Sequence, residues 1–187
     1  MASTDGPPPS DASNKAAFED LLAKHRRLVF KVAATYARNP EDRRDLVQEI
    51  LIQTWRAYPG YDAGRSFSTW MYRIALNVAI SHRRSVVYRT RHVSEIADDD
   101  LSAIPDSAVR EPDDRLRDLY RVIERLDDLN RALVLLYLDG YNYRETAEVL
   151  GISETNVATK LNRIREWLRE EFTTPDEKKG TSWNSKI

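Results

Sequence analysis

Thr155, Asn156, Thr159, Lys160 and Arg163 fall on one face of a short helical stretch and supply donors, acceptors and positive charge. The other face of that stretch carries Val157, Leu161, Ile164 and Leu168 at helical spacing, so it is the side that packs. Just upstream, Asn142 followed three residues later by Glu145 has the pattern of a capping box. Thr146 to Leu150 continue that helix, and Gly151 can adopt the left-handed conformation that ends it. Ser153 then caps the second helix, with Glu154 in its first turn, where the helix dipole favours an acid. A short helix, a glycine turn and a helix with a polar outer face make a helix-turn-helix, a unit that seats its second helix in a DNA groove. An αα-hairpin with a solvated face has the same local pattern, so the rest of the chain has to decide.

The remaining chemistry-bearing residues argue against catalysis. His25, His82 and His92 are far apart and form no metal-binding spacing. There is no cysteine, hence no disulfide framework and no thiolate ligand or nucleophile. No glycine-rich phosphate loop and no nucleophile-base arrangement occurs. The chain is expected to be no enzyme, with no catalytic residue, metal or cofactor. Its 29 basic and 30 acidic residues leave a net charge of −1, so any contact with nucleic acid must come from local patches. The absence of a long apolar run and of a secretory signal pattern predicts a soluble, cytoplasmic protein without membrane insertion.

Few glycines and much Leu, Ala, Arg and Glu predict an all-α chain. Residues 1–15, with three consecutive prolines, read as a disordered leader. A first helix from Ala16 has Phe18, Leu21, Leu22, Leu28, Val29, Val32, Ala33 and Tyr36 as its apolar set, and Asn39-Pro40 ends it. The second, from about Glu41 to Tyr58, turns Leu46, Val47, Ile50, Leu51, Thr54 and Trp55 inward. Asp45, Gln48, Glu49, Gln53 and Arg56 lie outward. A turn-rich loop, Pro59 to Arg65, precedes a third helix from Phe67 to Arg84. Its apolar set is Phe67, Trp70, Met71, Ile74, Ala75, Val78 and Ala79, and it leads into the cationic cluster Arg83, Arg84, Arg89 and Arg91. An acidic segment, residues 93–112, reads as a linker. A second helical block, residues 113–172, has Leu116, Leu119, Tyr120, Val122, Ile123, Leu126 and Leu129 on one side, with Asn130 as the expected cap of the next helix. Residues 173–187 form a polar tail. The expectation is two small helical domains, residues 16–92 and 113–172, on a flexible tether, the second containing the helix-turn-helix.

Asp45-Leu46-Val47-Gln48-Glu49, followed by Trp55-Arg56-Ala57-Tyr58, resembles the most characteristic motif of the sigma-70 family of bacterial transcription initiation factors. Phe67 to Asn77 looks like that family's promoter-melting helix, and Leu126 to Leu168 is similar to its C-terminal domain. Two such domains joined by one short linker are the layout of the extracytoplasmic-function (ECF) group. The resemblance covers roughly Phe18 to Arg91 and Arg115 to Phe172.

The resemblance implies roles for particular residues. Asp45, Gln48, Glu49 and Gln53 would contact a coiled coil of the largest catalytic subunit of core RNA polymerase, whereas Trp55 is expected to serve the core. Tyr61, Arg65, Phe67, Trp70, Arg73, Asn77, Ser81, Arg83 and Arg84 would recognise and melt the −10 promoter element, with the loop capturing a flipped base. On the −35 element, Asn156 suits adenine, and Lys160 or Arg163 suits guanine or phosphate. Ser153 and Thr155 suit phosphate at the helix N-terminus, Thr159 shares their face, and Arg144 suits the DNA backbone. Met71 follows Trp70 where housekeeping members have a second tryptophan, a feature of the ECF group that implies a stricter demand on promoter sequence. Ala158 and Asn162 replace a basic residue and a histidine common in relatives, which affects the −35 sequence read. An anti-sigma factor is a further implied partner. The rival readings are a stand-alone helix-turn-helix regulator, which leaves the first two motifs without a role, and a polymerase-binding adaptor without promoter activity.

Overall fold

The computed structural model describes residues 11–37, 39–93 and 122–173, and no strand occurs among them. Three helices come first: α1 (Asp11–Tyr36), α2 (Pro40–Ala57) and α3 (Phe67–Val93), with a 3₁₀ turn at Tyr58–Gly60 closing α2. After a helical turn at 122–124 come α4 (Asp128–Leu138), α5 (Tyr143–Leu150) and α6 (Glu154–Thr173).

Local chemistry explains the boundaries. The Asn39 side chain accepts from the Asp42 backbone N–H at 2.7 Å, and Pro40 occupies the first helical position, where a missing N–H costs nothing. The expected capping box is present: Glu145 N–H donates to Asn142 Oδ1 and Asn142 N–H to Glu145 Oε2, each at 2.9 Å. Gly151 ends α5 at φ 68°, the left-handed region where a Cβ is penalised. Ser153 Oγ accepts from Asn156 N–H at 3.2 Å and caps α6.

The structure differs from the sequence reading at several points. α1 begins at Asp11, so Asp11 to Lys15 are helical and do not belong to a disordered leader. α3 continues beyond Arg84 to Val93. The cap of α4 is Asp127, whose carboxylate accepts from the Asn130 N–H at 2.8 Å; Asn130 itself is buried inside the first turn. Residues 1–10 of the expected leader, 94–112 of the expected linker and 174–187 of the expected tail, with Leu116, Leu119 and Tyr120, lie outside the described residues.

α1, α2 and α3 each pack on the other two around Val29, Val32, Ala33, Leu46, Ile50, Met71, Ala75 and Ala79. Full burial of each large aliphatic side chain here contributes about 1.5–3 kcal/mol. A second core gathers Val122, Ile123, Leu126, Leu133, Val134, Ala147, Val157, Leu161, Ile164 and Trp167. Between them lies α4, whose residues Asn130 through Leu136 are all buried. Leu133 and Val134 serve the second core, while Ala132, Leu135 and Leu136 join the first, together with Val149 of α5. A helix apolar all round needs cover on both sides, and α4 has it. The two helical units are therefore packed together, an arrangement that the expected tether did not foresee.

The packing also uses a second stripe on α3. Tyr72 (0% exposed) and Leu76 (2%) are as buried as Met71 and Ala75, although neither belonged to the expected apolar set.

Candidate nucleic-acid and protein interfaces

Three separate surfaces carry the residues singled out from sequence. On α2, Asp45, Gln48 and Glu49 are exposed and Gln53 is half-buried. Gln53 Nε2 donates to Glu49 Oε1 at 2.6 Å, one helical turn apart, which holds both side chains along the helix. Trp55 is 43% exposed, so it is a surface residue and not the core residue expected. Its position allows one edge to rest on Phe18, centroids 5.0 Å apart, while the other edge meets solvent near exposed Ile52.

The second surface is the loop 61–66 with the outward side of α3. Tyr61 and Trp70 are half-buried with centroids 4.9 Å apart, and both rest on Phe67 at 5.3 Å. Phe67 is only 5% exposed, which corrects its expected place at a DNA surface: it lies beneath the two rings that solvent reaches. The Tyr61 hydroxyl donates to the Arg65 carbonyl at 2.6 Å, and Asp62 Oδ1 accepts from Gly64 N–H at 2.9 Å. These bonds fold the loop on itself and keep Tyr61 against Trp70. Partial burial, with the Tyr58 phenol and the Asp62 carboxylate adding to it, raises the Tyr61 pKa. Arg73, Asn77, Ser81 and Arg84 are all exposed, and their spacing makes one stripe along α3. Such a stripe offers cations and hydrogen-bond donors to a phosphate backbone, next to aromatic rings on which a base can stack. Arg83 is set apart from it, because its guanidinium pairs with Asp128.

The third surface is the start of α6. Ser153, Thr155, Asn156, Thr159 and Arg163 are exposed, and Lys160 is half-buried. Thr159 Oγ1 donates back to the Thr155 carbonyl at 2.9 Å, leaving its oxygen to face outward as an acceptor. Val157, Leu161 and Ile164 are buried on the opposite side, with Leu168 half-buried; Trp167, missed in the sequence, completes the stripe. Arg144 is exposed on α5. The helix thus shows the polar face and apolar anchor that a recognition helix requires.

Between the first and second cores lies a polar joint that the sequence reading did not identify. Asp139 accepts from Lys31 Nζ and, at 2.8 Å, from the Tyr72 hydroxyl. Asp128 accepts from Arg83 through its carboxylate and from the Tyr36 hydroxyl through its carbonyl, the latter at 2.8 Å. Arg131 is 3% exposed, donates to the carbonyls of Thr35, Glu124 and Leu126, and stacks on the Tyr36 ring with its Cζ 5.3 Å from the centroid. Burial lowers the Arg131 pKa, with neighbouring Arg83 adding to the effect. Burial also pushes the Tyr36 and Tyr72 phenols up; for Tyr72 the adjacent Asp139 carboxylate adds to it. The sequence signal for this joint was the unbroken apolar run 132–136, which has no polar face.

Among the described residues no cluster of His, Cys, Asp and Glu could hold a metal, and no helix is long and apolar enough to cross a membrane.

Comparison with known proteins adds the family. Two family models match, Sigma-70 region 2 over residues 21–87 and Sigma-70 region 4 over residues 116–168. The RNA polymerase sigma factor CarQ of Myxococcus xanthus is 33% identical over 159 residues, covering 82% of this chain and 88% of that protein. The ECF RNA polymerase sigma factor SigW of Bacillus subtilis is 26% identical over 166 residues, covering 83% and 89%. In fold, the chain is similar to the sigma factor RpoE solved in complex with the anti-sigma factor NepR from Bartonella quintana. The TM-score is 0.68 at 18% identity, over 86% of this chain and 99% of that one.

Proposed function

Because the chain belongs to the sigma-70 family and is a sigma factor of the ECF group, we propose that its three exposed surfaces divide the work of promoter-specific initiation. The outward face of α2, with Asp45, Gln48, Glu49 and Gln53, binds core RNA polymerase. Exposed Trp55 and Ile52 extend that face with apolar area, which a protein partner can cover. The loop at Tyr61, with Trp70 and the stripe Arg73, Asn77, Ser81 and Arg84, receives the −10 element and holds it open. Phe67 supports the two rings from below. The start of α6 reads the −35 element, with Asn156, Lys160 and Arg163 toward base edges and phosphate, and Ser153, Thr155 and Arg144 toward the backbone. The chain works in the cytoplasm without cofactor, and RNA synthesis belongs to the polymerase. An anti-sigma factor is its natural counterpart, as NepR is for the RpoE structure of similar fold.

One observation carries this reading. Two solvent-reached aromatic rings sit at the head of an exposed cationic and polar stripe on α3, in a domain separate from the recognition helix. A stand-alone helix-turn-helix regulator has no use for that arrangement, and an adaptor has no use for either DNA surface. The test is to sequence transcripts made by core polymerase with and without the protein. Initiation at a defined promoter set is expected only with it; an unchanged transcript pattern overturns the proposal.

A further inference from the structure

A polar cleft of about 430 Å³ opens where α1, the start of α3 and the turn after α4 meet. None of the residues assigned above to polymerase or promoter lines it. Its volume is more than a lone inorganic anion fills and falls in the range of small-molecule sites, roughly 300–1,000 Å³. The charges on its walls are unevenly committed. Asp139 already accepts from Lys31 and Tyr72, and Glu145 Oε2 accepts from Asn142 N–H at 2.9 Å. Lys24 and Arg27, both exposed on α1, make no ion pair among the described residues. An ammonium and a guanidinium fork left in this way match the charge and the several acceptor oxygens of a phosphate group. Ser66, Ser68 and Thr69 bring three hydroxyls to the same cleft. Ser66 Oγ and Ser68 Oγ lie 2.9 Å apart, so one hydrogen of the pair serves the bond between them, and hydroxyl hydrogens rotate to suit a bound acceptor.

Two rings flank these groups. His25 is half-buried with its ring 5.4 Å from that of Phe67, and Tyr141 is half-buried and meets Tyr72 edge to face at 5.4 Å. Both line the cleft, so each keeps part of its ring open to a flat ligand. Cations and hydroxyls for phosphate, beside two part-exposed rings for a planar body, are the complement of a nucleotide. We propose that this cleft binds a nucleoside di- or triphosphate. Its phosphates lie at Lys24, Arg27 and the hydroxyls of Ser66 and Ser68, and its base lies against His25 and Tyr141. The proposal does not rest on the promoter-binding reading above. A backbone phosphate of DNA offers the same chemistry from another source, and the experiment separates the two.

The full-length chain is titrated calorimetrically with ATP, GTP, inorganic pyrophosphate and a short single-stranded DNA. ATP or GTP is expected to bind saturably at one site per chain, and pyrophosphate more weakly. Lys24→Ala and Arg27→Ala should each weaken nucleotide binding ~10-fold or more, the scale of losing one charge-assisted hydrogen bond. Arg26→Ala removes an exposed cation of the same helix that does not line the cleft, and should leave the affinity unchanged. These three variants change only exposed side chains, so the fold is expected to survive each of them. Tyr141→Leu should weaken the nucleotides and leave pyrophosphate binding as it was. No saturable binding of either nucleotide overturns the proposal. So does an equal loss in Arg26→Ala, which would mean general charge attraction. Pyrophosphate binding as tightly as both nucleotides also overturns it, since the cleft would then have no place for a base. Binding of DNA alone, weakened in Lys24→Ala and Arg27→Ala, overturns it as well and assigns the two cations to promoter DNA.

Discussion

The Tyr72 hydroxyl, on a side chain with no solvent exposure, donates to Asp139 Oδ2 at 2.8 Å across the joint between α3 and the turn after α4. Two residues 67 positions apart are thereby tied, and the same carboxylate also receives Lys31. Tyr72→Phe keeps the ring and removes only this donor. A hydrogen bond to a charged acceptor contributes about 1.5–3 kcal/mol, and because Lys31 still satisfies Asp139 the loss should fall near ~1.5. Urea denaturation of the variant and the parent chain measures it; identical midpoints would remove Tyr72 from the joint.

The buried phenols also set an alkaline limit. Tyr36 and Tyr72 have folded pKa values raised above the ordinary tyrosine value of about 10, chiefly by burial. Their neutral forms are favoured in the folded state. The stability they contribute is therefore fully present below pH about 10 and is lost as pH rises beyond it. Of the nine tyrosines, these two should ionise only as the chain unfolds, seen as late tyrosinate absorbance coinciding with loss of helical signal. Ionisation of all nine before unfolding would contradict the burial.

The helix-turn-helix depends on its caps. Asn142→Ala removes one half of the capping box on α5 and should cost about 1 kcal/mol. Gly151→Ala meets no neighbour within 4 Å, so its cost is conformational alone, about 1–2 kcal/mol for a φ of +68°. Thermal unfolding of the two variants should show comparable losses. A neutral Gly151→Ala would mean the turn relaxes out of the left-handed region.

The caps of α5 and α6 were legible because each is a local contract between residues three or four apart. The inward stripes of α1 and α6 were legible for the same reason, since period and burial agree there. What escaped the sequence was the contact between units. Tyr72 and Leu76 lie on a flank of α3 that periodicity assigns to neither face; α5 packs against α3, and Asp139 and Tyr141 of the turn between α4 and α5 meet Tyr72 there. Trp55 erred the other way: its position extends the inward stripe of α2, but α2 ends two residues later and little of the core remains to cover it. Asp127 displaced Asn130 as the cap of α4 because both residue types serve, and the choice is fixed by where Leu126 enters the second core.

On α2, the Glu49–Gln53 bond makes the outward face behave as a unit. Replacing Gln48 and Glu49 with alanine frees Gln53 as well, and core polymerase affinity should fall about tenfold or more, the scale of losing an interfacial contact of 1.4 kcal/mol. Helix content should not change, because Gln48 and Glu49 are exposed and Gln53 only half-buried. Affinity measured on immobilised core enzyme decides the matter, and an unaltered value would move the polymerase surface elsewhere.

The recognition helix permits a sharper separation. Arg163 is exposed and Lys160 half-buried along one side of α6, and the helix is anchored by Val157, Leu161 and Ile164 regardless of either. Lys160→Ala and Arg163→Ala should therefore leave folding and core association intact while weakening −35 binding. A residue that neutralises a phosphate lowers the salt slope of log K by about 1 and weakens all sequences alike, whereas one that reads a base costs about 1–3 kcal/mol at its own position and leaves the slope nearly unchanged. Titrating each single variant against a matched and a mismatched −35 duplex at several salt concentrations assigns the two side chains between those roles. If neither variant alters affinity, slope or mismatch discrimination, the exposed face of α6 does not touch DNA.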